Sequence, residues 1–111
     1  MPRAPAASAM RRTIASWVDA VRGVFVALNI ENASVIDVRS EEEYVLGHAI
    51  EAINIPWDLH QYYLNDLKKL PRPWVFVCEE GIRSGWVVLS LKMLGFKEVY
   101  NVGRWVDVGV F

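Results

Sequence analysis

The chain has 111 residues, 53% of them hydrophobic, which is enough to bury a sizeable single core. Twelve Lys and Arg against 13 Asp and Glu give a formal net charge of -1, excluding a nucleic-acid or membrane-surface role driven by electrostatics. The single cysteine excludes an internal disulfide and suits a reducing, cytoplasmic setting, and no uninterrupted apolar run is long enough to span a bilayer.

Residues 1–12 are rich in Ala, Pro and Arg, lack acids and have no apolar signal core. They are expected to be a disordered N-terminal tail rather than a targeting peptide, ahead of one domain at 13–111. Ser16 with Asp19 reads as a capping box, and Trp17, Val18, Val21, Val24, Phe25 and Leu28 follow at helical spacing. Val35 to Val38 reads as a buried strand. Ser40 with Glu43 is a second capping box, opening a short helix that Gly47 closes. Ala52 to Ile55 is a short strand stopped by Pro56. Asp58 is expected to cap a helix carrying Leu59, Tyr62, Tyr63, Leu67 and Leu70, with His60 solvated on it. Pro71 and Pro73 end that helix.

Trp74 to Val77 is apolar at every position, as a parallel strand covered on both sides requires. Ser84 to Leu94 follows as a helix with Val87, Val88, Leu91 and Leu94 on its apolar face and Gly95 as its stop. Glu98 to Val102 supplies a last strand. Alternation of this kind predicts an α/β fold with a mainly parallel sheet, whose ligands sit beyond the carboxyl ends of the strands.

Cys78 falls at such an end, in the run Cys78-Glu79-Glu80-Gly81-Ile82-Arg83-Ser84. Gly81 frees the loop to curl and turn its N–H groups inward, and a helix N-terminus follows. Arg83 adds a permanent cation. A cysteine so placed can have a pKa lowered to about 3.5–7.5 and act as a nucleophile. An isolated cysteine is more often a small buried hydrophobe, but this loop reverses that expectation. Arg83 is read as serving an anion near the loop, because a positive charge is otherwise unfavourable at a helix N-terminus.

Val35-Ile36-Asp37-Val38-Arg39, Glu43-Tyr44, Gly47-His48-Ala49 and Ala52-Ile53-Asn54-Ile55-Pro56 resemble the N-terminal half of a rhodanese domain. The Cys78–Ser84 run is similar to that family's active-site loop. Leu94-Gly95-Phe96 and Val99-Tyr100-Asn101-Val102 match its usual ending. The resemblance covers roughly 13–111 and implies a rhodanese-like α/β fold, with helices on both faces of a central, mainly parallel sheet. It further implies a sulfurtransferase whose Cys78 carries a persulfide from a small sulfur donor to a thiol or cyanide-type acceptor, or to a protein persulfide partner. Asp37, Arg39, Glu43 and His48 then form a supporting network beneath the loop. Asp37 is the member best placed to approach it. Three departures stand out: Glu51 replaces a usual glycine, Gly103-Arg104-Trp105 reduces a Gly-Gly pair, and the terminal helix is expected to be short or absent.

Glu79 and Glu80 are unexpected beside a thiolate. At about 7 Å each carboxylate would repel it by about 0.6–2.4 kcal/mol, for effective dielectric constants of ~80 down to ~20. A dianion such as thiosulfate is therefore expected to be a poor donor, unless both side chains turn to solvent. Phosphatase loops of this general kind need five residues between cysteine and arginine, whereas four stand between Cys78 and Arg83. No His/Cys cluster has metal-ligand spacing, so neither metal nor cofactor is expected. Trp57, Trp86 and Trp105 support a second reading, a non-catalytic binding or sulfur-relay module with an apolar docking surface.

Overall fold

The computed structural model describes residues 33–108 in full and, ahead of them, the backbone of two strands. These are β1, Thr13–Asp19, and β2, Val24–Asn29, paired antiparallel with Thr13 opposite Asn29 and Trp17 opposite Phe25. The helix expected from Ser16 onward is therefore corrected, and Ser16 and Asp19 lie within a strand rather than at a cap. Thr13, Ile14, Trp17, Val18, Val24, Phe25 and Val26 are β-branched or aromatic, which disfavours helix and favours strand. The tail at 1–12 lies outside the described residues.

Four parallel strands form the centre: β3 (Ser34–Asp37), β4 (Ile53–Asn54), β5 (Trp74–Cys78) and β6 (Val99–Arg104), in the order β4-β3-β5-β6. Every residue of β3 and β5 is buried, β5 as its unbroken apolar run requires and β3 with the polar Ser34 and Asp37 at its two ends. Alternation splits the core. Ile36, Val38, Trp74 and Phe76 face one side, packed with Leu67, Leu70, Val87 and Leu91. Val35, Val75 and Val77 face the other, with Ala49, Ala52, Tyr44 and Trp105. The first side is covered by a 3-10 helix at Trp57–Tyr63, α2 (Leu64–Leu67) and α3 (Ile82–Met93). The second is covered by α1 (Glu41–Val45) and a 3-10 turn at Trp105–Asp107. The expected layering, with helices on both faces, is what the structure has.

Ser40 and Glu43 form the capping box that opens α1, each satisfying the other's backbone N–H. Gly95, at φ 93, ends α3: its N–H donates to the Lys92 carbonyl while Phe96 N–H reaches back to Leu91. Leu94 consequently lies at the C-cap and is exposed rather than on the buried face. Asp58 does not cap its helix, because Pro56 stands at the N-cap and leaves Asp58 inside the first turn. A 3-10 helix repeats every three residues, so His60 and Tyr63 share the inward row. His60 is buried at 9% exposure, while Tyr62 is 84% exposed. Both reverse the helical expectation. The His60 ring meets the Trp57 carbonyl at 2.6 Å and Ser90 Oγ at 3.3 Å.

Of the sequence departures, Glu51 keeps a left-handed backbone at φ 60. Gly103, at φ 95, takes a conformation that favours glycine, and only the short turn at Trp105–Asp107 follows β6 among the described residues.

Candidate active site

Cys78 ends β5, and the chain turns over Glu79–Gly81 straight into α3. Gly81 stands at the N-cap with φ 94, and a Cβ there would lie 3.1 Å from the Gly103 Cα. Both the angle and the close approach demand glycine. The curled backbone brings the Gly81 N–H to 2.9 Å and the Ser84 N–H to 3.5 Å from Cys78 Sγ, with Ser84 Oγ at 3.3 Å. Burial pushes the thiol pKa up. The Ser84 hydroxyl and the N–H groups of Ser84, Glu80 and Gly81 outweigh it together, leaving the thiol below its ordinary value. Although Cys78 is only 1% exposed, it forms part of the wall of an open pocket of about 210 Å³ with Glu79, Glu80, Ile82 and Arg83. Cys78 thus stands at the boundary between that pocket and the buried cluster around Phe76 and Val87.

The capping box of α1 also aims Glu43 at the loop. Its carboxylate accepts Arg83 Nη1 at 2.7 Å and Nη2 at 3.0 Å, and it accepts the Ser40 N–H at 3.1 Å. Hydrogen bonds from Arg83 first, then from Ser40, pull Glu43 from an ordinary value near 4.5 down to about 2. A folded-state pKa below the unfolded one stabilises the fold above about pH 4.5, and that contribution is lost as pH falls through about 2. The stability difference between Glu43→Gln and the native chain, read from urea unfolding, is therefore expected to be full above pH 4.5 and to vanish near pH 2. A difference that does not change across this range would break the assignment.

Beneath the loop, Arg39 and Asp37 form a buried pair. Arg39 Nε donates to Asp37 Oδ1 at 3.0 Å and Nη2 to Oδ2 at 2.8 Å, with side-chain exposures of 4% and 0%. Nη2 also donates to the Gly47 carbonyl at 2.6 Å, and the guanidinium lies 4.5 Å above the Trp105 ring. Trp105 Nε1 donates to Glu79 at 2.9 Å, with Arg39 Nη1 at 3.5 Å from the same oxygen. Glu79 is thus turned back against Arg39 and Trp105, while Glu80 is exposed. Arg39, Glu43, Leu46, Gly47, Glu79 and Trp105 line a second recess of about 350 Å³.

Arg39 meets the Cys78 loop at Glu79 and Glu43 meets it at Arg83, whereas Asp37, expected to approach it best, is joined to it through Arg39, whose guanidinium it binds. His48 does not join them: its ring stacks on Tyr44 at 3.9 Å and Nδ1 meets the Tyr44 carbonyl at 2.8 Å. Three further residues complete the site. Asn54 Nδ2 donates to the carbonyls of Asp37 and Arg39, Trp105 holds Glu79, and Asn101 bonds Ser84 and Gly81. A polar residue inside an otherwise apolar strand was the available signal for Asn54 and Asn101.

Residues 26–104 match the family model for the rhodanese-like domain. The chain belongs to the rhodanese family. This rhodanese domain is 33% identical over 70 residues to the uncharacterized protein YqhL of Bacillus subtilis, covering 63% of the chain and 55% of YqhL. It is 32% identical over 72 residues to the putative sulfur carrier protein YrkF of the same organism, covering 65% and 38%. The chain thus spans about half or less of the length of these curated relatives. A rhodanese with anions from E. coli superposes with a TM-score of 0.64 at 28% identity, over 71% of this chain and 94% of that one. The expected family and α/β fold are both borne out. No helix among the described residues is long and apolar enough to cross a membrane.

Proposed function

We propose that this rhodanese domain is a sulfurtransferase that carries sulfane sulfur on Cys78. The Cys78 thiolate attacks the sulfane sulfur of a donor; the Sγ–S bond forms, the donor's S–S bond breaks, and the leaving group departs with its electron pair. An acceptor thiolate or cyanide then attacks the outer sulfur, the Sγ–S bond breaks, and Cys78 returns as thiolate. No external oxidant or reductant is consumed. The carrying observation is the Gly81 N–H donated at 2.9 Å to the sulfur of Cys78, a residue that lines an open pocket. Likeness to a putative sulfur carrier supports the same reading, as does a lone cysteine suited to a reducing, cytoplasm-like compartment. Incubation with polysulfide is expected to raise the intact mass by one sulfur atom, which an added thiol then removes. A mass that never changes across a panel of sulfane donors would defeat the proposal.

Donor choice follows from charge at the pocket mouth. Arg83 is engaged by Glu43 through two hydrogen bonds, Arg39 by Asp37, and Glu80 stands exposed at the rim. A dianionic donor meets more negative than uncommitted positive charge among these groups. Thiosulfate is therefore expected to turn over weakly, with a persulfide, polysulfide or protein thiol the better partner. A low-millimolar or tighter Michaelis constant in the thiosulfate:cyanide assay would overturn this.

A second reading, a docking or relay module, draws on Ile82, Trp86, Leu89 and Met93, which are exposed along α3 from the pocket outward. Capture of a partner by Cys78→Ala as efficiently as by the native chain would favour it over catalysis.

A further inference from the structure

Ser84, whose hydroxyl lies 3.3 Å from the sulfur, is completely buried and carries one hydroxyl proton with two acceptors in reach. One is Cys78 Sγ at 3.3 Å, the other Asn101 Oδ1 at 2.6 Å. The second is the shorter and better hydrogen bond. Asn101 is delivered there by an irregularity in β6: Phe76 pairs with Asn101 and Val77 with Gly103, so Val102 is the extra residue of a bulge. Its amide cannot be flipped without loss. Nδ2 donates to the Gly81 carbonyl at 3.0 Å, and Oδ1 accepts the Gly103 N–H at 3.0 Å.

We propose that Asn101 is a positioning residue for the sulfur chemistry: it holds the Ser84 hydroxyl proton while Cys78 is an uncharged thiol and yields it when the sulfur becomes an anion. With the Ser84 hydroxyl donating to Asn101 Oδ1, its oxygen presents a lone pair to sulfur, which suits an S–H donor. A thiolate has no proton to give and would face that lone pair unfavourably. The hydroxyl then rotates to donate to Sγ, and Asn101 Oδ1 keeps its bond from Gly103. The arrangement serves both protonation states of sulfur in a site where Ser84 has no solvent to turn to. The inference deepens the sulfurtransferase reading, since the same switch supports each return of Cys78 to thiolate.

The charged groups around the sulfur are Glu79 and Glu80 in the loop, Arg83 on α3, Glu43 on α1, Asp37 and Arg39 at the end of β3, and Arg104 on β6. All persist when Asn101 or Ser84 is replaced. The Gly81 carbonyl also accepts the Gly85 N–H at 3.0 Å, so it keeps a partner without Asn101.

The test is the pH dependence of Cys78 alkylation by iodoacetamide, which reads thiolate directly and does not require sulfur transfer. Asn101→Ala releases the hydroxyl to sulfur and is expected to lower the midpoint by about half a unit to one unit. Ser84→Ala is expected to raise it, and adding Asn101→Ala to that variant is expected to change nothing further. A midpoint that stays or rises in Asn101→Ala would overturn the inference. So would a fall of equal size with and without Ser84, which would show action through the loop alone. If circular dichroism shows Asn101→Ala unfolded, Asn101→Asp decides instead. It retains the acceptor, so the midpoint must rise more with Ser84 present than absent, and an equal rise in both backgrounds refutes the switch.

Discussion

Cys78→Ser is expected to abolish sulfur loading, with transfer from polysulfide to thiol falling at least about a thousandfold, to background. The loop's amides favour a thiolate because a thiol loses its proton near physiological pH. The same donors leave a serine hydroxyl protonated and poorly nucleophilic. No other cysteine exists in the chain to take over. The replacement is nearly isosteric, and its hydroxyl inherits the Gly81 N–H and the Ser84 hydroxyl as partners. Stability is therefore expected to change by about 1 kcal/mol or less. Intact mass after polysulfide treatment, with circular dichroism on the same sample, separates lost chemistry from lost fold. A one-sulfur adduct retained by Cys78→Ser would remove Cys78 from the mechanism.

Arg39→Ala is expected to cost about 3–5 kcal/mol, because it leaves the Asp37 carboxylate buried without its cation. That is a large part of the roughly 5–15 kcal/mol that holds a typical domain together. Truncation also frees the Gly47 carbonyl and removes the plate against which Trp105 lies. The end of β3, the exit of α1 and the turn after β6 thus loosen together. Urea denaturation measures the loss. Replacing both partners by apolar residues of similar size, Asp37→Leu with Arg39→Met, is expected to recover much of it, since the penalty comes from the orphaned charge. A single Arg39→Ala that unfolds at the native urea midpoint would show the pair to be energetically idle.

What the sequence disclosed was mostly local. Trp74 to Val77 is apolar at each position, and it is the central strand. Ser40 and Glu43 satisfy one another within a single turn, so the start of α1 could be read directly. The loop from Cys78 to Ser84 carries its own geometry in Gly81. The first hairpin was hidden because apolar residues at 17, 18, 21, 24, 25 and 28 fit a helical stripe, and only their β-branching argued otherwise. His60 was misplaced because a repeat of three turns inward a residue that a repeat of 3.6 leaves outside. Arg83 and Glu43 lie 40 residues apart, as do Arg39 and Glu79, and nothing local links them. Such partners follow from topology, which brings the ends of β3 and β5 side by side. Trp105 is legible in the sequence only as an aromatic, and its bond to Glu79 follows from the fold.

A Cβ at Gly81 would lie 3.1 Å from the Gly103 Cα, so the loop whose N–H reaches the sulfur is seated directly against β6. A side chain at Gly81 would part the loop from β6. Adaptation to a bulkier or differently charged sulfur source is then left to the lip, where Glu80 and Ile82 stand in solvent with no structural duty in the core. On the proposed function, such a domain would keep Cys78 constant and change donors through two surface positions.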